Sequence, residues 1–537
     1  MKQQESVFRI NQEGYVPELP IHFALLTGGE AAVLDTEGKT VHTILPGDVP
    51  EDAASGDRVR TVVIPPLKAG EYDLVSGEER RKFTVREGAW KEVSNALIKG
   101  LYYQRCGCAL DPAFAGVYHH PACHTAPAVD WEDRSKKRKV PGGWHDAGDY
   151  GKYTGPGAVT VAHMLYAWKL FPRGCPDDLN IPETGNGIPD ILNEAKYELD
   201  WMLEMQRSDG AFHHKLTKAM FAPFIMPQED LETEYLMPVS HCATAAACAC
   251  LALASRVYGA ANPAFANRML LAAQRAWNWL QEHPEFVPFM NPEGVRTGWY
   301  GDRSDRDERF WAACELYATT GEEAYREAAE ALYQDGLDLT QFGWVDVSGI
   351  GALCCLFDLK EKAGEILYTK LKEDFLRRSE EALRWSRESG YGTSLPADRY
   401  IWGSILPILS HGMAMIMNYL LTGREDMRDA ALVQWHYALG MNALDLCFVT
   451  GFGTRSVLHP HHRPSGADGI DAPVPGLISG GPNKSFPSKP TKEKLGEDVP
   501  PAKYYLDELP SADTNEIAIY WNSPAIFAGA FVNQIST

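Results

Sequence analysis

Residues 142–153 read Gly142-Gly143-Trp144-His145-Asp146-Ala147-Gly148-Asp149-Tyr150-Gly151-Lys152-Tyr153. The stretch is too rich in glycine and polar residues for a core helix or strand, and its glycines let the backbone come close to a ligand. Asp146 and Asp149 are three residues apart, so a helical turn of the loop would point both carboxylates the same way. Two such carboxylates can share one water, which one deprotonates while the other orients it. A capped turn with a solvated Asp-Gly pair is the alternative interpretation.

The composition is that of a globular protein with an acidic surface: 537 residues, 45% hydrophobic, with a formal charge of -21. This charge disfavours nucleic acid and anionic membranes as partners. We interpret the isolated basic run at 134–139 as a solvated loop rather than a nucleic-acid patch. The most apolar segments, 242–254 and 405–421, are interrupted by polar and small residues, so they predict buried helices rather than membrane spans.

Cysteine usage and the N-terminal residues bear on the cellular compartment. The eleven cysteines are odd in number and sit mostly in helical patterns, which favours reduced thiols over a disulfide framework. The first ten residues contain no sustained apolar run of the kind found in signal peptides. Together these observations predict a cytoplasmic protein, or a secreted one if a leader has been removed.

Two kinds of pattern divide the chain. Residues 1 to about 88 contain short apolar runs separated by turn signals, which predicts a small β-sandwich. From Trp90 onward the periodicity is helical and predicts about eleven or twelve helices joined by loops rich in glycine, proline and histidine. No repeat of constant period is found, which disfavours a solenoid. We therefore expect a β-sandwich domain over 1–88 and an all-α domain over 89–537, for which a barrel of paired helices is a plausible arrangement.

Glu516 begins a strongly apolar segment near the C-terminus. Partial burial would raise its pKa and keep it protonated, as a general acid requires. The alternative is a glutamate at a helix N-terminus, where the helix dipole would lower its pKa. The two interpretations therefore predict opposite pKa shifts.

A loop rich in histidine and arginine spans 451–463 and contains His459, His461, His462, Arg455 and Arg463. Its donors suit neutral hydroxyls or an anion, and a histidine cluster also suits a metal. Because none of these thirteen residues is acidic or a cysteine, we favour polyol recognition.

A set of soft ligands precedes and enters the opening stretch: Cys106, Cys108, Cys123, His124 and His145. Four of them suffice for a closed tetrahedral zinc site, although their spacing is not that of a standard zinc finger. Because His145 adjoins Asp146, such a zinc would brace the carboxylate loop.

At these motifs the chain resembles glycoside hydrolase family 9, the inverting endoglucanases, and specifically the subgroup with an N-terminal immunoglobulin-like domain. Residues 10–15, Ile-Asn-Gln-Glu-Gly-Tyr, resemble the start of that domain, and residues 143–153 resemble the catalytic-base motif. Gly453-x-Arg455 with Pro460-His461-x-Arg463 fits the histidine signature, and Asn515-Glu516-x-Ala518 with Asn522-Ser523 fits the acidic signature. One departure is Ala512, where that signature usually has an aromatic residue.

The resemblance implies a fold and a set of roles. The fold would be an (α/α)6 barrel preceded by an immunoglobulin-like sandwich. Asp149 would be the general base, Asp146 its partner in holding the water, and Glu516 the general acid. Substrate contacts would come from His461, Arg463, Tyr400, Trp402, Trp299, Tyr300 and Tyr520, whose aromatic members suit the apolar faces of sugars.

Metal ions are also implied by the resemblance. Mapped onto this chain, a structural zinc would bind Cys106, Cys123, His124 and His145, leaving Cys108 free. Structural calcium would bind Asp302, Asp305 and Asp346 at one site, and Ser465, Asp468 and the Ile470 carbonyl at another, since calcium prefers oxygen ligands.

The leading functional expectation is a monomeric, inverting endo-β-1,4-glucanase that acts on cellooligosaccharides or soluble β-glucans. An exo-acting member of the same family, such as an exo-β-glucosaminidase or a cellobiohydrolase-like enzyme, is the nearest alternative. A non-catalytic glycan-binding protein would leave both aspartates and Glu516 unexplained. A zinc hydrolase would need its metal in every turnover, whereas a structural zinc acts through stability.

Overall fold

The computed structural model describes residues 6–333 and 336–536. An N-terminal β-sandwich contains two antiparallel sheets, ordered β1-β2-β5 and β4-β3-β6-β7. Its strands are β1 (Phe8–Arg9), β2 (Ile21–Leu25), β3 (Ala31–Leu34), β4 (Thr40–Ile44), β5 (Arg60–Ile64), β6 (Gly70–Ser76) and β7 (Glu79–Val85). Apolar side chains from both sheets, among them Phe8, Phe23, Val33 and Phe83, form the core between them.

The turn between β6 and β7 shows why this part of the sequence folds as hairpins. Ser76 pairs with Glu79, so the connecting loop contains only Gly77 and Glu78. Gly77 has φ 59°, a conformation that such tight hairpin turns require and that glycine adopts without strain. The strands predicted from turn signals therefore correspond to strands of the sandwich.

The rest of the described chain is mainly helical. The helices are α1 (Lys91–Tyr103), α2 (Pro112–Ala115), α3 (Thr154–Leu170), α4 (Asp190–Glu204), α5 (His241–Tyr258), α6 (Pro263–Glu282), α7 (Arg306–Thr320), α8 (Glu323–Tyr333), α9 (Ser348–Leu353), α10 (Leu371–Glu388), α11 (Ile405–Thr422), α12 (Glu425–Ala438), α13 (Arg463–Ala467), α14 (Lys489–Leu495), α15 (Ala512–Asn515) and α16 (Ile519–Ile535).

Twelve of these described helices form an (α/α)6 barrel. The inner helices are α3, α5, α7, α9, α11 and α16. In this ring α5 packs on α3 and α7, α9 packs on α7, and α16 packs on α11 and α3. The outer helices α1, α4, α6, α8, α10 and α12 pack on the inner ones. Burial follows this order: α5 is buried almost all round, whereas α6 buries one face that includes Phe265, Met269 and Trp279.

Helix α11 is the one described helix that is long and apolar enough to cross a membrane. In the fold, 67% of its most apolar window is buried inside the protein, because α11 belongs to the inner ring. This agrees with the interpretation of residues 405–421 as a buried helix.

Two features differ from the sequence-based prediction. The helical periodicity of residues 359–386 predicts a single helix there. The structure instead has π-helical turns at Cys354–Leu359 and Glu365–Lys370 before α10 begins. Lys360 and Gly364 between them have positive φ, 51° and 81°, which an α-helix cannot contain.

The second difference is a sheet of very short strands at one end of the barrel. Its strands are β8 (Ala128–Asp130), β9 (Lys137–Arg138), β10 (Lys152–Tyr153), β11 (Lys215–Thr217) and β12 (Tyr235–Leu236), in the order β10-β11-β12-β8-β9. Strands of two or three residues are too short to show a period-two pattern. Because β10 directly follows residues 142–151, this sheet fixes the end of the carboxylate loop.

Candidate active site

The carboxylate loop, residues 142–151, is held from below by α4. Trp144 donates its backbone N–H to Glu198 at 2.7 Å and its indole N–H to Glu194 at 2.8 Å. Within the loop, the Asp146 N–H bonds to the Gly151 carbonyl at 2.9 Å. Gly148 has no room for a side chain, since a Cβ there would lie 1.8 Å from the His461 carbonyl oxygen. The glycine therefore lets the loop touch the histidine-rich segment directly.

Asp146 is buried, and its carboxylate has one hydrogen-bond partner among the residues that the structure describes. The Tyr300 hydroxyl donates to Oδ2 at 2.5 Å, while Oδ1 is buried without a hydrogen bond. Burial raises its pKa well above the usual range, the Tyr300 bond opposes this, and the nearby Asp149 charge adds to it. Asp146 thus offers one free oxygen beside a second carboxylate.

Backbone pairing brings the loop to Glu516. Ala147 bridges Ala518, and His461 bridges Glu516 on the other side. The Asp149 carboxylate accepts the Gly151 N–H at 3.1 Å. The sequence-predicted residues Asp146, Asp149 and Glu516 are therefore gathered at one end of the barrel.

Glu516 precedes α16 and has an extended backbone conformation, with φ -66° and ψ 156°. Its side chain is partly exposed. Desolvation raises its pKa well above the usual range, and the negative charges of Asp149 and Asp146 raise it further, while Arg463 opposes them. The direction is the one required of a general acid and opposite to that of a helix N-terminal glutamate.

The side chains of the histidine-rich loop have different surroundings. His461 lies edge-on to Phe224, 5.2 Å between ring centroids, and its Nδ1 is 2.6 Å from the Leu509 carbonyl oxygen. Arg463 donates to Gly148 O at 2.8 Å and to Ala222 O at 2.7 Å. Through Nε and Nη1, Arg463 therefore links residues 220–225 to the carboxylate loop.

The expected sugar-binding aromatic residues separate into two groups and one exception. Trp299 and Trp402 are each 47% exposed and can present a face to a sugar. Tyr300 and Tyr520 lie beside Asp146, with their hydroxyls 3.4 Å apart. Tyr400 is only 2% exposed and packs in the core, so its ring offers little surface to a sugar, and its role as a substrate contact stays a prediction.

Other residues at the site were not predicted from the sequence. The Trp344 ring lies 4.9 Å from Tyr300, and Phe221 and Phe224 are exposed beside the Arg463 guanidinium. Lys215 is buried under the segment that leads to Tyr300. Isolated aromatic residues and a lone lysine carry no sequence pattern that separates them from core or surface residues.

The four expected zinc ligands come together. The donor atoms of Cys106, Cys123, His124 and His145 all lie within 4.8 Å of one another. His145 Nε2 is buried without a hydrogen bond, and His124 Nδ1 is 3.6 Å from the Cys106 sulfur. The other His124 nitrogen faces Asp230 at 3.4 Å, the carboxylate–histidine arrangement that orients zinc ligands. Two sulfurs and two imidazoles fit a tetrahedral zinc site.

The first expected calcium site needs a correction. Asp305 forms an ion pair with Arg309 at 2.6 Å, so its carboxylate is already neutralised. Unpartnered buried oxygens belong instead to Asp302 and Glu308. Burial raises the pKa of Glu308, as it does for the neighbouring acids Asp302, Asp307 and Asp346, and mutual repulsion adds to the shift. Such a cluster of hard oxygen ligands fits a cation.

The second expected calcium site is only partly assembled. Asp468 Oδ2 is buried without a partner, and burial raises the pKa of this carboxyl. The other oxygen accepts the Ile470 N–H at 2.9 Å. The Ser465 hydroxyl, in contrast, bonds to His462 at 2.8 Å and to the Val474 N–H at 3.0 Å, so Ser465 holds the loop itself.

Comparison with known proteins gives consistent matches. The profile of Glycosyl hydrolase family 9 matches residues 90–529. A cellodextrinase from Butyrivibrio fibrisolvens is 34% identical, covering 97% of this chain and 98% of that protein. A xyloglucan-specific endo-beta-1,4-glucanase from Bacteroides ovatus is 31% identical, covering 98% of this chain and 94% of that protein.

Solved structures are similar over the whole chain, including the β-sandwich. A single mutant of a thermostable endoglucanase from Alicyclobacillus acidocaldarius is 34% identical with a TM-score of 0.93, covering 98% of this chain and all of that one. A zinc-binding triple mutant of a family 9 endoglucanase is 31% identical with a TM-score of 0.90, covering 96% of this chain and 99% of that one. The matched residues include the carboxylate loop, Glu516 and most of the barrel. This chain therefore belongs to glycosyl hydrolase family 9 and is a glycoside hydrolase.

Proposed function

We propose that this chain is an inverting endo-β-1,4-glucanase acting on cellooligosaccharides and soluble β-glucans. The observation that carries the proposal is the meeting of two aspartates with a glutamate whose pKa is raised. Two exposed tryptophans, Trp299 and Trp402, supply apolar faces for sugar rings. The relatives named cellodextrinase and endo-beta-1,4-glucanase support the substrate class.

In the proposed reaction, Asp149 takes a proton from a water molecule as its oxygen attacks the anomeric carbon. Asp146, held by the Tyr300 hydroxyl, accepts the second hydrogen of that water and orients it. The glycosidic C–O bond breaks, and the protonated Glu516 gives its proton to the departing oxygen. Attack on the face opposite the leaving group inverts the anomeric configuration.

Proton NMR of the first product from a β-linked glucan tests this mechanism. The α-anomer is expected to appear before mutarotation. Early formation of the β-anomer would rule out inversion and indicate a retaining enzyme. A retaining enzyme has its two carboxyl groups only about 5 Å apart.

Product analysis separates the endo mode from the exo alternative. On a long soluble glucan, an endo-acting enzyme lowers viscosity well before much reducing sugar appears, whereas an exo-acting enzyme releases small sugars at nearly constant viscosity. Parallel assays on cellotetraose and chitosan oligomers test the alternative of glucosamine units.

We also infer a structural zinc and at least one calcium ion. The donor set of Cys106, Cys123, His124 and His145 supports zinc, and the buried oxygens of Asp302 and Glu308 support calcium. A bound cation would neutralise these ligands and stiffen the segments on either side of the reacting groups.

A further inference from the structure

Lys215 is a fully buried lysine whose bonding partners are all neutral. It is 0% exposed, and its ammonium group donates to Gly298 O at 2.6 Å, Asn291 Oδ1 at 2.7 Å and Thr297 Oγ1 at 3.1 Å. Buried ammonium groups ordinarily pair with a carboxylate. Burial lowers the pKa of Lys215 to about 7, and the charge that opposes this shift is that of Asp149. The charge that favours the protonated form of this lysine thus belongs to a proposed reacting group.

The contacts of Lys215 connect two parts of the site. In the sheet, Lys215 is paired with Tyr153, which follows the carboxylate loop. Its acceptors lie in residues 291–298, which lead directly into Tyr300. Gly298 lies in contact with both Tyr153 and Tyr300, since a Cβ there would be 2.9 Å from the Tyr153 hydroxyl and 3.3 Å from the Tyr300 ring.

Tyr300 itself needs such support. Its φ is 47°, in the left-handed region that a bulky residue adopts only under strain. This conformation directs its hydroxyl to Asp146 at 2.5 Å. A methionine at position 215 would fill a similar volume without the ammonium group, so Lys215→Met separates the hydrogen bonds of that group from packing.

We propose that Lys215 is a positioning residue of the hydrolytic site: it holds residues 291–300 so that the Tyr300 hydroxyl reaches Asp146, and it sets a positive charge opposite Asp149. The proposal rests on the proposed roles of Asp146 and Asp149. Other groups also act on Asp149, and all must be considered in a pH profile; they are Asp146, Tyr153, His461 and Glu516.

The test is Lys215→Met in the full chain, assayed on cellotetraose across pH. Misplacement of Tyr300 is expected to lower kcat by about 10- to 100-fold. Loss of a positive charge near the reacting groups is expected to move the acid limb of the kcat/KM profile up by about 0.5–1 pH unit. Asn291→Leu removes one acceptor and should shift both quantities less, in the same direction.

Lys169→Met is the matched control, because Lys169 pairs with Asp358 at 2.6 Å in a different ion-pair network. It should lower Tm without moving the acid limb. If Lys215→Met lowers Tm but leaves kcat and the acid limb of the folded enzyme unchanged, Lys215 is merely structural and the proposal is wrong. Should Lys215→Met not fold, unchanged kinetics in Asn291→Leu would overturn it.

The same assay separates this proposal from the proposed function. Wild-type turnover of cellotetraose tests the function, and its absence would overturn both. With wild-type turnover present, unaltered kinetics in the variants would overturn the role of Lys215 alone.

Discussion

At the scale of single residues, the site depends on how differently its three carboxyl groups are placed. Asp146 is buried and bonded to Tyr300, while the pKa of Glu516 is raised by desolvation and raised further by the charges of both aspartates. An acid that stays protonated beside a base that can ionise is the arrangement that hydrolysis with inversion requires.

The acid and the base are expected to differ in their dependence on the leaving group. Glu516→Gln should lose about 10²–10⁴-fold of activity on cellooligosaccharides, as for a general acid. It should keep much more on dinitrophenyl glycosides, because that leaving group needs little protonation. Asp149→Asn should be impaired on both substrates, since every substrate needs the activated water, and azide should restore part of its turnover.

Steady-state kinetics of both variants on both substrates check this assignment, with Asp146→Asn expected between them or near Asp149→Asn. The reverse pattern, with Asp149→Asn active on the aryl glycoside and Glu516→Gln inactive on both substrates, would contradict the assignment of Glu516 as the acid and Asp149 as the base.

Glu516 should also make the protein less stable at neutral pH. Because its folded pKa lies above the ordinary value of 4.5, the folded state holds a proton that the unfolded state releases as pH rises above 4.5. Stability is lost across that window, up to the folded pKa. Glu516→Gln should therefore raise Tm at pH 7 and change it little at pH 4.

Thermal unfolding at the two pH values measures this effect, with Glu493→Gln on the exposed side of α14 as control. A larger gain in Tm at pH 4 than at pH 7 would contradict the raised pKa.

At the scale of elements, the loops rather than the helices carry the chemistry. The carboxylate loop is fixed on three sides: by α4 through Trp144, by the sheet through β10, and by the His461 segment through Gly148. The candidate zinc ligands add a fourth fixing point, because His145 lies next to Asp146.

Loss of a zinc ligand is therefore expected to affect stability before chemistry. Cys123→Ser should lower metal content and Tm more than it lowers the turnover of the folded enzyme. Cys108→Ser is the matched control, since Cys108 is half-buried and lies outside the four-donor cluster. Metal analysis, calorimetry and kinetics on the same samples check this. A metal-free enzyme with unchanged Tm and no activity would make the zinc catalytic.

The elements also show what the sequence could predict and what it could not. Periodicity predicts helices over 263–282 and 425–439, and the structure has α6 at Pro263–Glu282 and α12 at Glu425–Ala438. It failed at 354–370, where positive φ at Lys360 and Gly364 replaces a helix with π-helical turns. The motifs predicted that Asp146, Asp149 and Glu516 would meet. They could not predict that Tyr400 packs in the core or that Asp305 pairs with Arg309, because both depend on contacts that no motif contains.

At the scale of the whole molecule, the β-sandwich is joined to the barrel by specific polar contacts. Arg81 forms a bidentate ion pair with Asp445, with N–O distances of 2.9 and 3.1 Å, and Asn11 bonds to His436 at 2.8 Å. Gln12 accepts the Arg455 N–H at 2.9 Å, and Glu13 accepts the Gly453 N–H at 2.7 Å. The N-terminal motif thus holds the first part of the loop that carries His461.

Breaking one of these contacts should destabilise the whole chain. Arg81→Met leaves the buried Asp445 carboxylate with weaker pairing and should cost about 3 kcal/mol of unfolding free energy. Arg80→Met is the control, because Arg80 is half-exposed and lies 3.8 Å from Asp73 within the sandwich. Chemical denaturation of both variants measures the difference. Equal stabilities would mean that the interface depends on its apolar contacts alone.

The contact between sandwich and barrel also limits how the enzyme can be shortened. Trp90 donates its indole N–H to the Gly14 carbonyl at 3.0 Å, and the Trp90 and Tyr15 rings both pack on His436. A protein engineered to begin at residue 89 would expose this aromatic surface, and it would remove the Asn11 contact of His436 and the Arg81 contact of Asp445. A smaller biocatalyst would need new polar residues on the surface of α12 and of the loop after it. The sandwich therefore cannot be deleted without changing the sequence of the barrel.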